Sequence, residues 1–338
     1  MELNVRPSYR VEANEQDITD MIADRLVSMN IIDATGLKSD SVDITLANHD
    51  PLNPLKLPPV GAELRVSIGY DGVVVDKGLF VVDELNLAGP PDRLTIVARA
   101  TPQSVSESGE GSTRETLQTQ KTRPWESGTT LGGMVSLIAE EHGLEAAVAA
   151  SLGAIVLPHI DQVSESDINL LTRVARDYDA IAKPAGGKLL LAHRGESITA
   201  GGGQALPVIE LAPAEVTQWT VTLAQRVILG SVEATWWNQT LAREETVTLG
   251  EGKPLRKLQN QYPDEATARK AAETELKQRA RGGNTLQLTM PGRPEIVAEG
   301  RLTTGGFPDG ANQEWLVTEV SHRITPRGYT SGVQAEQP

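Results

Sequence analysis

Gly195-Glu196-Ser197-Ile198-Thr199 opens as a hydrolase nucleophile elbow does, with a glycine two positions before a serine. The elbow needs a second glycine two positions after the serine, because its strand-to-helix turn leaves no room for a side chain. Thr199 stands there instead, so the segment fails the template. Gly250-Glu251-Gly252-Lys253-Pro254 sets a lysine among glycines, as a phosphate-binding loop would. The glycine spacing is wrong, and Pro254 replaces the Ser or Thr that would reach magnesium, which leaves a plain turn. His49, His142, His159, His193 and His322 never fall in a paired metal spacing and read as capping, surface or core residues. Glu140-Glu141 could supply one of the two carboxylates of glycoside hydrolysis, but neighbouring carboxylates on a helix usually form a solvated face. With no cysteine, thiolate zinc sites, cysteine nucleophiles and disulfides are excluded together. The expectation is no catalytic, no cofactor-binding and no metal-ligating residue.

Composition narrows the partners. A net charge of -14 opposes wrapping nucleic acid, which is driven by clustered Lys and Arg. Met1-Glu2-Leu3-Asn4-Val5 lacks a signal pattern, and no apolar run approaches the roughly 20 residues that span a bilayer. Synthesis in the cytoplasm without stable membrane anchoring is expected.

The elements that would position any site fall into three regions. Residues 1–102 read as mostly strand, through Tyr9–Glu12, Ser41–Leu46, Glu63–Ile68 and Gly78–Val82, with Asp71-Gly72 as a hairpin turn and Asp17 to Leu26 as a short helix or a strand entry. From Gln103 to Arg123 large apolar side chains nearly vanish, which predicts a polar arm that orders on assembly. The region 103–204 continues as α+β. Thr130 caps a helix carrying Leu131, Met134, Val135 and Ile138 and stopped by Gly143, and a second helix comes after a box of Ser164 and Asp167. Gly186-Gly187 turns into a strand at Leu189–Ala192, and Gly201-Gly202-Gly203 marks a boundary. Residues 205–338 return to strand at Val216–Thr222, Ser231–Trp237, Glu245–Leu249 and Leu286–Met290, interrupted by a polar helix at about 264–281. In the Trp236-Trp237 pair the rings must point to opposite faces, one inward and one outward or into a subunit contact. Arg269, Lys270, Lys277, Arg279 and Arg281 suit that helix's C-terminal dipole without implying a partner.

One strand pair occurs twice. Phe80-Val81-Val82-Asp83-Glu84-Leu85 runs through Gly89, Pro90 and Pro91 into Leu94–Ala98, and Trp315-Leu316-Val317-Thr318-Glu319-Val320 runs through Pro326 and Gly328 into Tyr329-Thr330. Glu84 answers Glu319, and Ala100 answers Ala335. Such repeats are usually single structural units. The fold class expected is α+β, mainly β, with two similar β-barrel domains flanking a middle α+β domain.

The segment His159-Ile160-Asp161-Gln162-Val163-Ser164-Glu165-Ser166-Asp167, continuing into Leu171, Arg173 and Tyr178, resembles the signature of the late control D family. These are tail hub proteins of contractile-tailed phages, R-type pyocins and similar particles, related to the hub part of type VI secretion spikes. Trp125, Thr130-Leu131, Ile138 to Leu144, Ala266 to Gly282, Leu286 to Gly292 and Trp315 to Thr330 agree, so the resemblance spans nearly the whole chain. The Gln103 to Arg123 arm departs from it. The resemblance implies a ring-shaped homotrimer with pseudo-sixfold symmetry that adapts a hexameric tail tube protein to a trimeric central spike protein and moves with them when a sheath contracts. Baseplate wedge and tape measure proteins are further expected contacts, with assembly in the bacterial cytoplasm before release in a tail or tail-like particle. His159, Gln162, Glu165, Ser166, Asp167, Leu171, Arg173 and Tyr178 are its structural motif residues. The alternatives are a tail-associated peptidoglycan hydrolase, the hub portion of a type VI spike, and a transcription regulator, which acidity and the lack of a helix-turn-helix pattern oppose.

Overall fold

The computed structural model describes residues 5–35, 40–48, 50, 54–100, 117–185, 188–195, 206–223, 230–280 and 284–338. The first region contains β1 (Pro7–Ala13), β2 (Gln16–Asp17), α1 (Thr19–Ala23), β3 (Leu26–Ala34), β4 (Ser41–Ala47), β5 (Glu63–Tyr70), β6 (Val73–Ala88) and β7 (Arg93–Ala100). The middle region contains β8 (Gln120–Trp125), α2 (Leu131–Glu141), β9 (Glu145–Val148), α3 (Ala150–Gly153), β10 (Ile160–Ser166), α4 (Asp167–Asp177), β11 (Ala180–Ala185) and β12 (Lys188–His193). The last region contains β13 (Val208–Leu211), β14 (Gln218–Leu223), β15 (Ser231–Asn238), β16 (Arg243–Gly250), β17 (Leu255–Tyr262), α5 (Glu265–Ala280), β18 (Asn284–Pro291), β19 (Arg301–Thr304), β20 (Glu314–Thr325) and β21 (Gly328–Glu336).

Among the described residues, thirteen strands form one sheet, in the order β14-β18-β21-β20-β3-β4-β7-β6-β5-β1-β2, with β19 on β20 and β13 on β19. Alternation explains its faces: Val42, Ile44 and Leu46 of β4 turn inward, as do Leu286, Leu288 and Met290 of β18. Each such side chain contributes roughly 1.5–3 kcal/mol on full burial. Antiparallel pairing of β3 with β20, from Ala34 opposite Glu319 to Met29 opposite Ile324, makes one sheet of the first and last regions. Ile324 and Tyr329 reach into the first region's core beside Met29 and Phe80, while Trp315, Val317 and Val320 belong to a second core with Leu286 and Leu302.

The duplicated strand pair shares a defect. The β6–β7 ladder slips between Val82 and Glu84, and the β20–β21 ladder slips between Val317 and Glu319. The extra residues, Asp83 and Thr318, each stand three places after the buried aromatics Phe80 and Trp315. A bulge bends its strand and re-aims the residues beyond it, so the shared position is a shared shape. The return strands are offset. Val82 faces Ala98 and Val317 faces Ala335, so in the ladder Ala335 corresponds to Ala98 and not to Ala100. The second hairpin continues further past its bulge before turning at Thr325 and Gly328, which moves its return strand by two residues.

The insertion in the last region is larger than one helix. β15, β16 and β17 form their own sheet, and α5 lays Ala268 and Ala272 on Val232, Ala234 and Val247. The polar helix has an apolar side because these strands give it something to cover. Trp236 packs on this core while Trp237 stays exposed, as their adjacency requires.

In the middle region α2 and α4 cover the sheet β11-β12-β9 around Leu131, Met134, Ile138, Leu170, Leu171 and Val174. Thr130 Oγ1 accepts from Gly133 N at 3.1 Å, and Gly143 takes φ +66° at the helix stop. Between Asp17, the end of β2, and Leu26, the start of β3, lies the short helix α1. Part of the expected polar arm is integral structure: Gln120–Trp125 is β8, antiparallel to β10, because its charged side chains find buried partners. Residues 103–116, Gly186-Gly187, Gly201-Gly202-Gly203, Ser197 and His49 lie outside the described residues. No helix among the described residues is long and apolar enough to cross a membrane.

Candidate functional site

The motif segment builds an ion network around a buried carboxylate. β10 carries Gln162 inward and then bulges, so that Val163 and Ser164 together face Thr122 of β8. Ser164 takes φ +47° and its N–H donates to Thr122 Oγ1 at 3.1 Å. The bulge therefore consumes Ser164, and the cap of α4 is Ser166, whose Oγ accepts from Asn169 N at 3.4 Å. The expected box of Ser164 and Asp167 gives way for this reason. Asp167 becomes the first residue of α4, where a carboxylate suits the positive end of the helix dipole.

Asp167 is fully buried. Its Oδ1 accepts from Arg123 Nη2 at 2.9 Å and from Gln162 Nε2 at 2.8 Å, and its Oδ2 accepts from His142 Nε2 at 2.8 Å and lies 2.9 Å from Lys121 Nζ. Burial alone would raise this carboxyl's pKa, but the hydrogen bonds from His142, Gln162 and Lys121 and the Arg123 charge outweigh it and hold the group below its ordinary range. Glu141 obeys the same logic: burial opposes ionisation, while Arg123 and Lys121, the latter at 2.9 Å, favour it and prevail. Gln162 Oε1 accepts from Arg123 Nε at 3.0 Å and Trp125 Nε1 at 3.2 Å, and the Arg123 guanidinium lies 4.5 Å above the Trp125 ring. The network sews β8, α2, β10 and α4 together.

Glu141, His142 and Asp167 are close enough to surround a cation. That charge is already supplied by the protein: Lys121 and Arg123 each contact both carboxylates, and His142 spends Nε2 on Asp167.

The other motif residues divide. Glu165 holds Arg173 through two bonds, 3.1 Å to Nε and 2.7 Å to Nη2, and Leu171 is core. Tyr178 closes α4 and lies under Lys270 Nζ at 5.0 Å, touching the inserted subdomain. His159 stays outside the network, half-exposed beside Asp161. Sequence reasoning missed Lys121 and Arg123 by assigning them to the arm. Their signal was the two-residue period Lys121, Arg123, Trp125, one face of a strand.

A family model described as phage tail baseplate hub (GPD) matches residues 116–328, a span that holds the whole network and the second bulge. The chain belongs to this family. The "Probable baseplate hub protein" of Escherichia phage P2 is 30% identical over 373 aligned positions, covering 98% of this chain and 93% of the relative. Its namesake in Escherichia phage 186 is 29% identical over 377, with the same coverage. The baseplate hub fold extends further: the 43 kDa tail protein of prophage MuSo2 from Shewanella oneidensis, at 14% identity, has a TM-score of 0.66 with 97% of this chain and 98% of that one covered. An E. coli component of the type VI secretion system, at 10% identity, has a TM-score of 0.52 with 92% and 73% covered.

Proposed function

We propose that this chain is the structural hub of a contractile injection particle, a homotrimer that adapts a hexameric tail tube to a trimeric central spike and travels with both when the sheath contracts. The observation that carries the reading is the bulged strand pair repeated at Asp83 and Thr318. Three subunits that each present two like surfaces offer six at the angular period of a sixfold tube. In this reading residues 1–102 and 205–338 are tube-facing barrels, and the middle region faces the spike. The edge strand β14 fits such an assembly. Gln218–Leu223 carries no charge, and Trp219 and Leu223 are exposed, so the edge lacks the protection that isolated sheets use. The reading requires no chemistry, and the network at Asp167 supplies rigidity.

Native mass spectrometry of the chain mixed with its tube and spike proteins tests this. Three copies bridging six tube subunits and three spike subunits are expected, and monomeric chain under those conditions rejects the adaptor. A second reading, the hub portion of a type VI-like spike, is supported by the likeness to the E. coli component. It predicts no complex with a phage-type tube.

A further inference from the structure

β3 ends at Asp33 and Ala34, and the chain re-enters the sheet after Asp40, so two carboxylates meet at one place. Lys183 of β11 puts its ammonium between them, 3.1 Å from Asp33 Oδ1 and 2.9 Å from Asp40 Oδ1, and donates also to Ala34 O at 3.2 Å. Ala298 N donates to Asp33 Oδ2 at 2.9 Å, and Ala34 N donates to Asp40 Oδ1 at 3.2 Å. None of these three side chains is more than 20% exposed. The first, middle and last regions of the chain therefore meet on one small cluster.

Its contacts are uneven. Among the described residues Lys183 is the ammonium in contact with both carboxylates, while Lys77 reaches them only through its field, and a buried acid sharing one ammonium with another takes up a proton. Burial opposes ionisation of Asp33, but Lys183, the Ala298 N–H and the field of Lys77 hold it below its ordinary range. Burial and the charge of Asp33 push Asp40 up to about 6. The surrounding groups are accounted for. Lys77 of β6 donates to Pro294 O and Ile296 O, and burial takes it down to about 8. Glu295 adds its field to Lys77, Glu299 is raised by burial, Arg194 pairs with Glu336 at 3.1 Å, and His322, buried and hydrogen-bonded, is pushed down to about 3.

We propose that Asp40 is a proton-operated latch between the middle region and the main sheet. A proton from solvent on Asp40 gives up its ion pair with Lys183 but ends the repulsion between two buried carboxylates, leaves Asp33 paired with Lys183, and tightens the junction. Loss of that proton sets two carboxylates against each other and loosens it.

The test is urea unfolding of the full chain between pH 4.5 and 7.5 as wild type, Asp40→Asn and Lys183→Met, with hydrogen exchange read in β11. Asp40 is raised above its ordinary 3.8 in the fold, so its contribution is present at low pH and lost as pH rises through about 6. His322 has the opposite linkage, so the reading is wild type relative to Asp40→Asn at each pH. The wild-type folding constant should fall about tenfold per pH unit, relative to the variant, between roughly pH 4 and 6 and then level off. Exchange in β11 should be faster in wild type than in Asp40→Asn at pH 7.5 and equal at pH 5. A ratio independent of pH, or faster exchange in Asp40→Asn at pH 7.5, overturns the latch. Lys183→Met should be destabilised at pH 7.5 and recover much of the loss at pH 5. Equal destabilisation at both also overturns it.

Discussion

His142 Nε2 donates to Asp167 Oδ2 at 2.8 Å, joining the end of α2 to the start of α4. A helix C-terminus and a helix N-terminus are thus tied by a buried bond to a carboxylate already held by Arg123, Lys121 and Gln162. Removing the acceptor takes one buried partner from His142, Arg123, Lys121 and Gln162 together.

Asp167→Ala should therefore cost about 3–5 kcal/mol, as removing one partner of a buried ion pair does. Urea denaturation of the two proteins measures it. A loss below about 1 kcal/mol would show the network to be ornamental.

The same carboxyl sets an acid limit. Its pKa is held below the ordinary 3.8, so its contribution is present above that value and lost as pH falls through the lower folded value. Asp167→Asn should flatten the wild-type decline in stability below about pH 4, read from unfolding midpoints at pH 2.5 to 5.

Trp125 contributes a ring and a donor that can be separated. Trp125→Phe keeps the ring beneath Arg123 but loses the 3.2 Å bond to Gln162, and should cost about 1–3 kcal/mol. Trp125→Ala also opens a cavity against the middle core and should cost about 3–5 kcal/mol. Similar losses for both would assign the stability to the donor alone.

His322 is buried and neutral, with its ring nitrogens bonded to Tyr329 and Ser331 on one side and Ile296 O on the other. Its folded pKa near 3 lies below the ordinary 6.5, so stability present above 6.5 is lost as pH falls toward 3, at about 1.4 kcal/mol per pH unit. Wild-type stability relative to His322→Gln should fall by that slope from pH 6 to 4 in chemical denaturation, the comparison cancelling the opposite linkage of Asp40.

Thr318 gives β20 its bend and not its inward face. Thr318 and Glu319 are both half-exposed between buried Val317 and buried Val320, His322 and Ile324, so deleting Thr318 leaves a regular alternation with Glu319 still opposite Gln334. That deletion should fold with a loss of about 1–3 kcal/mol, whereas inserting one residue after Glu319 turns Val320, His322 and Ile324 to the other face and should abolish folding. Soluble yield and near-ultraviolet circular dichroism distinguish the two. Deletion of Asp83 should behave like deletion of Thr318, and an unfolded deletion of either would show that the bend itself is required.

Much of the scaffold was legible because it is local. Thr130 and Gly143 bracket α2, Leu170 to Val174 form the stripe of α4, and Leu286 to Met290 alternate. The Ser164 cap was misplaced because a β-bulge leaves no mark in composition. The ionic half of the site was missed for a related reason: Lys121 and Arg123 look like solvent-exposed charges until Gln162, Asp167 and Glu141 arrive from distant segments to receive them.

The sequence by itself determined periodicity, caps, family resemblance and the existence of two similar strand pairs, since each depends on neighbours along the chain or on order and spacing. Only the tertiary structure decided that β3 joins β20 into one sheet, that Asp83 and Thr318 occupy matching bulges, and that Lys183 meets Asp33 and Asp40. Those facts depend on which distant backbone edges and charges find each other. That choice is set by burying the whole set of apolar faces and polar partners at once, and no window of sequence contains it.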